Sequence, residues 1–339
     1  MRRISAALAF PAALLLILAT FFAVRGAAQN EVEDDLMASR RLFGEIGPGL
    51  RALRHAANGN YYILASPSLG VAIFDAKGHR VKIFGAPPEE PGTKASRALI
   101  AFGEDCDVDA QGNVYVADTV YNQVNEFAPD GTQLRSFPAN LVLSLAVLPA
   151  GEIAVTTREP SHHITVYGPD GKIARELGDL ESMSSRPDID RYLNLGRVAS
   201  DPQGHLFYGF TYMPEPTVRE FDRLGSAIQD FVFTGLDAFP EAAATRKAIV
   251  RYENTPGPLA FHPILTAFGV DPVDGDVWMG LHNTLLHFDK DGIRRSEYQI
   301  YTPKGRPLEA SVILVEPDRL LIGSDPLGIY EFHRPDRKY

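Results

Sequence analysis

The chain has 339 residues, 45% hydrophobic and 22% charged, with 29 Gly and 25 Pro. That balance excludes a disordered, collagen-like or disulfide-scaffold protein. A single cysteine, Cys106, excludes an intramolecular disulfide and any multi-cysteine metal site, and a formal net charge of −10 argues against nucleic acid or an anionic membrane surface as partner.

At the N-terminus, Arg2 and Arg3 precede an uncharged run of 21 residues from Ile4 to Val24, followed by small residues up to Ala28. Residues 1–28 read as a cleaved signal peptide or, because the run approaches the length of a membrane span, as an uncleaved N-terminal anchor. Either reading places the globular part outside the cytoplasm, periplasmic or secreted, with membrane contact only through the anchor. Cleavage would remove Arg2, Arg3 and Arg25 and no acids, taking the charge from −10 to −13. Residues 29–39 are acidic and polar and read as an exposed linker. Cys106 fits a buried small apolar residue better than a reactive thiol.

From residue 40 onward two marks recur. The first is an aromatic residue, three turn-forming residues and usually glycine: Phe74-Asp-Ala-Lys-Gly78, Phe127-Ala-Pro-Asp-Gly131, Tyr167-Gly-Pro-Asp-Gly171, Phe221-Asp-Arg-Leu-Gly225, Phe288-Asp-Lys-Asp-Gly292 and the degraded Phe332-His-Arg-Pro-Asp336. An Asp-Gly pair after an alternating run signals a hairpin, because glycine tolerates positive φ. The second mark lies upstream: Gly59-Asn-Tyr-Tyr-Ile, Gly112-Asn-Val-Tyr-Val, Gly151-Glu-Ile-Ala-Val, Gly204-His-Leu-Phe-Tyr, Gly275-Asp-Val-Trp-Met and Asp318-Arg-Leu-Leu-Ile. Each unit reads as four short antiparallel strands, with apolar Val114 and Val116 alternating against Tyr115 in the clearest copy.

Six such units predict an all-β fold, a six-bladed β-propeller of four-stranded antiparallel blades over residues 40–339. The last copy ends at its turn, and Arg40-Arg-Leu-Phe-Gly-Glu-Ile46 resembles the outer strands elsewhere. The N-terminal strand is therefore expected to complete the last blade and close the ring. Two insertions break the spacing, residues 179–195 and 234–263. The second carries a predicted helix from Phe239 to Asn254 between blades 4 and 5, with Glu241 early and Arg246, Lys247 and Arg251 late, as the helix dipole favours. Both join an outer strand to the next inner strand, so they share a face with the loops between second and third strands. That face is the expected ligand face.

The second copy, from Val108 through Gly112-Asn-Val-Tyr-Val-Ala-Asp118-Thr to Phe127-Ala-Pro-Asp-Gly131, resembles an NHL repeat. The other copies match mainly at their two glycine turns. The resemblance covers roughly residues 40–339 and implies the fold. NHL-type propellers include enzymes, extracellular sensor domains and RNA-binding modules, so it leaves the function open. RNA binding would need a basic face that this charge does not offer. A similar amidating-type lyase holds zinc through three histidines of different blades, and no matching pattern stands out among the nine histidines here. A gluconolactonase-type relative would need an acidic residue near Leu50–Arg54, where Arg51 and Arg54 stand instead.

On the expected ligand face, Arg54, Arg158 and Arg197 suit a small anionic ligand such as a carboxylate or phosphate in the central channel. Asp105 and Asp118 join them as candidate ligand-binding residues, Asp118 with the alternative role of bonding its own loop. His162 and His163 read as an exposed turn. If a divalent ion such as zinc or calcium binds, His262 and His282 with one carboxylate are its candidate ligands. No Ser-His-Asp order, phosphate loop or Gly-x-Ser-x-Gly elbow is present. The favoured function is an exported module that binds a small ligand or a protein partner; the alternative is a metal-dependent lyase or lactone hydrolase in the channel.

Overall fold

The structure, a computed structural model, describes residues 34–67, 69–86, 99–234, 240–255 and 257–336. The segment expected to be a signal peptide or anchor, residues 1–28, lies outside the described residues, as does the start of the acidic linker. No helix among the described residues is long and apolar enough to cross a membrane.

Six sheets built on antiparallel strands follow one another along the chain, four of them with their strands in strict sequence order and two taking an N-terminal strand at the outer edge. Blade 1 runs from Leu50 to Gly85, blade 2 from Gly103 to Pro138, blade 3 from Val142 to Leu177, and blade 4 from Gly196 to Val232. Blade 5 runs from Ala267 to Tyr301, and blade 6 takes three strands between Val312 and His333. The fourth strand of blade 6 is Arg40–Leu42, antiparallel to Gly328–His333, with Arg40 opposite Glu331 and Leu42 opposite Ile329. The ring is thus closed by its own N-terminal strand. The preceding segment differs from the expected linker: Asp34–Met37 adds in parallel to Arg294–Tyr301 as a fifth strand of blade 5.

Buried clusters sit at the six blade interfaces. Leu64, Val71 and Phe84 of blade 1, for example, meet Cys106, Val114 and Phe127 of blade 2, and Leu50, Ile63 and Phe74 meet Val312, Leu321 and Ile329 across the closure. The second strand of a blade is covered on both sides by its neighbours, so every residue of Tyr61–Ala65, Val114–Asp118, Leu206–Phe210 and Val277–Leu281 is buried. That corrects the alternation expected around Tyr115, which is itself buried. Cys106 is buried as expected, and burial pushes its thiol pKa up.

The Asp-Gly turns bind blades together as well as reversing the chain. Gly131 adopts φ +82°, and a Cβ there would come within 2.8 Å of Phe84 in the preceding blade. Gly171 is related in the same way to Phe137. A side chain at either position would meet both a strained backbone and an occupied neighbour.

Both insertions contain helix. A short one, α1, spans Pro187–Leu193 and was not expected; α2 spans Pro240–Asn254 and matches the expected element, with Glu241 in its first turn and Arg251 in its last. They pack on each other through Ile189, Leu193, Tyr252 and Phe261. Glu253 accepts bonds from Ser184 Oγ (2.8 Å) and the Ser185 N–H (3.0 Å), and Arg186 donates to the Tyr252 carbonyl at 2.6 Å. The two insertions form one cap over blades 3 to 5.

Candidate functional site

The inner strands Leu50–His55, Gly103–Val108, Val142–Val147, Gly196–Ser200, Ala267–Val270 and Val312–Val315 enclose a cavity of about 650 Å³, within the range of small-molecule sites. Its walls reach the turns between first and second strands in all six blades, including Ala57, Gln111, Pro149, Pro202, Pro272 and Pro317. None of the described residues in the loops between second and third strands lines it. The cavity therefore extends to the face opposite the insertions, while at the expected ligand face it reaches the starts of the inner strands but not those loops. Small residues such as Ala56, Ala57 and Ala110 leave open space at this end, whereas Arg51 and Arg197, at the starts of their strands, stand at the inner end.

The wall of blades 1 to 4 is a belt of polar bonds. Arg54 donates to Asp105 at 3.0 Å and lies 3.3 Å from Asp107. Asp105 also accepts from Ser144 Oγ at 2.6 Å and from the Leu145 N–H at 3.3 Å, and Asp107 accepts from the Val147 N–H at 2.8 Å. Ser144 Oγ in turn accepts from the Val198 N–H at 3.2 Å. Burial alone would lower the Arg54 pKa; Asp105 and Asp107 outweigh it and hold the guanidinium charged. Burial raises the Asp107 carboxyl, and Arg54 opposes that rise. Arg54 and Asp105, both expected to bind ligand, are thus engaged in joining blades.

Asp118 is fully buried and accepts from the N–H groups of Ala101 (2.7 Å), Phe102 (3.3 Å), Val120 (3.1 Å) and Tyr121 (3.1 Å). Through Val120 and Tyr121 its carboxylate organises its own loop, the alternative already visible in Asp118-Thr-x-x-Asn122, and through Ala101 and Phe102 it also holds the segment ahead of the inner strand. Arg158 pairs with the buried Glu104. Arg197 alone among the five candidates lines the cavity without a carboxylate partner among the described residues. Arg51 shares that property. Its guanidinium lies over the Phe102 ring at 5.1 Å, and its Nε is buried with no hydrogen-bond partner. Beside Arg197, burial and Tyr192 push the Tyr212 hydroxyl pKa up while Arg158 and Arg197 draw it down; Tyr192 and Tyr212 meet edge-on at 4.8 Å.

Blades 5 and 6 complete the wall with Ala267, Phe268, Val270, Val312, Ile313 and Leu314. Arg54, Asp105 and Arg197 of this lining were named from the sequence; the apolar residues were missed because they carry no motif. The available signal was their place in the inner strand of each repeat.

No family model and no curated protein matches this chain. Solved structures do match. A streptogramin B lyase aligns with TM-score 0.52 and 14% identity over 86% of this chain and 85% of its own. A virginiamycin B lyase from Staphylococcus aureus aligns with TM-score 0.52 and 12% identity over 85% and 81%. U3-55K aligns with TM-score 0.52 and 10% identity over 85% and 96%. The likeness is one of fold. It supports the six-bladed propeller and leaves chemistry to the residues.

Those residues place the candidate metal ligands apart from a complete set. His282, at φ +56°, reaches the Pro263 carbonyl through Nε2 at 3.1 Å, so its loop meets the one bearing His262. Among the described residues the His/Cys/Asp/Glu group close enough to hold an ion is Asp276, His287 and Asp336, and neither His262 nor His282 belongs to it. There His287 bonds Asp276 at 2.9 Å, while the buried Arg334 takes both oxygens of Asp336. This trio is part of a charge network between blades 5 and 6. His163 also departs from expectation. It is buried, bonded through Nε2 to Asn194 at 2.9 Å and stacked on Tyr208, and burial lowers its pKa.

Proposed function

We propose that this protein is an exported ligand-binding propeller that takes a small anion into its central channel. The observation that carries the reading is the pair Arg51 and Arg197, which line the cavity without a carboxylate partner among the described residues while Arg54 and Arg158 are paired. A cation without a counterion at the inner end of a pocket is a ready partner for a carboxylate or phosphate, to which guanidinium offers two parallel donors. Export rests on residues 1–28, and descent from NHL-type repeats rests on the Gly112–Gly131 copy. The reading is tested by calorimetric titration with benzoate and with inorganic phosphate. At least one should bind, and Arg197→Ala should weaken it at least tenfold; unchanged affinity in both Arg197→Ala and Arg51→Ala would count against the channel.

A second reading, a metal-dependent lyase, is supported by the meeting of the His262 and His282 loops and by the lyase names of two fold neighbours. Metal analysis of protein purified without chelator or affinity histidines separates the two. Near one equivalent of zinc or calcium, lost in His282→Ala, would favour the lyase.

A further inference from the structure

The channel wall is divided by chemistry, and the division specifies a ligand class more narrowly than charge alone. Around the ring, blade 1 presents Arg51 and Arg54, blade 2 Asp105 and Asp107, and blade 4 Arg197. Blades 5 and 6 present Phe268, Val270 and Leu314, each partly exposed where it lines the cavity. Val147 of blade 3 is a fourth partly exposed apolar residue lining the channel, on the side of the polar belt. The acids toward the mouth are already engaged: Asp109 by its own turn, Asp201 by the His205 N–H, and Glu316 by His55 and Arg319. An inorganic anion would satisfy the inner guanidiniums and leave the apolar wall wet. A neutral apolar molecule would cover the wall and leave the partly buried guanidiniums of Arg51 and Arg197 without an acceptor from the ligand.

Resting on the anion-binding reading, we infer that the ligand is an amphipathic monocarboxylate. Its head group meets Arg197 at the strand-start end of the channel, and an aliphatic or aromatic body lies along Phe268, Val270 and Leu314 toward the turn face. The two ends of such a molecule are recognised by different blades. Head-group variants and tail-wall variants should therefore separate.

The experiment is a calorimetric series on the full chain with butanoate, hexanoate, octanoate and 1-octanol. Transfer of methylenes out of water predicts a rise of about three- to fourfold in affinity per added CH₂ until the wall is covered. Arg197→Ala should weaken every carboxylate by a similar factor. Leu314→Asn should flatten the chain-length dependence and spare butanoate. The wild-type series stands by itself if a variant fails to fold. Equal affinity for butanoate and octanoate, or phosphate binding as tightly as octanoate, would overturn the amphipathic ligand while leaving the anion site standing. Octanol binding as tightly as octanoate would overturn the anion site, and no binding by any probe would overturn both.

Discussion

Glu316 shows how a single carboxylate can hold a blade junction. It accepts from Tyr61 Oη at 2.8 Å and Arg319 Nε at 2.5 Å and pairs with His55 at 2.6 Å, while Arg319 continues to Glu331 at 2.7 Å and Glu331 to Arg40 at 3.1 Å. Burial would raise the Glu316 pKa, but His55, Arg319 and Tyr61 together bring it from 4.5 down to about 2. The folded pKa lies below the unfolded one. The stability this group confers is therefore complete above about pH 4.5 and is lost as the pH falls toward about 2. Glu316→Gln should cost about 3 kcal/mol at neutral pH and flatten the acid limb of denaturant unfolding over that window. His163 acts at milder acidity. Its folded pKa is lowered from 6.5 by burial, so its contribution is full above pH 6.5 and declines as pH falls below it. Thermal melts should show a loss between pH 7 and 5.5 that is absent in His163→Gln; an identical pH profile in the variant would assign the loss to other groups.

Elements differ in how openly they announce themselves. The Asp-Gly turns were legible because one glycine must satisfy a positive φ, and α2 was legible because Pro240 and its charge order mark its ends. α1 was not. Seven residues carry too little periodicity to separate a helix from a loop, and its helix is held by packing on Tyr252 and Phe261 from the other insertion. The closing strand was legible from its likeness to other outer strands, whereas the parallel partner of Asp34–Met37 lies more than 250 residues away in sequence. Phe43 and Ile46, just after the closing strand, are buried in the cluster between blades 6 and 1. Removing residues 29–46 should therefore lower the melting temperature by several degrees and broaden the transition, since Ile46 alone is a buried side chain whose loss costs about 2–5 kcal/mol. A truncated protein that melts at the wild-type temperature would show the ring to be closed by other contacts.

Across the whole molecule, stability is distributed among six blade interfaces, and the proposed binding site lies where they converge. Six inner strands each contribute a few side chains to one channel, and no neighbouring pair of those side chains forms a motif. The sequence by itself determined the number of blades, the turn positions, the helical insertion and the burial of Cys106, because turn chemistry and strand patterning act over a few residues. It also named Arg197. Only the tertiary structure decided which charges remain available: Arg54 meets acids 51 and 53 residues away, and Arg158 meets Glu104. The same holds for the face on which the channel extends and for the apolar wall of blades 5 and 6. Pairing and enclosure arise from residues brought together across blades, so repeat spacing can place them on a strand but cannot say what each one faces.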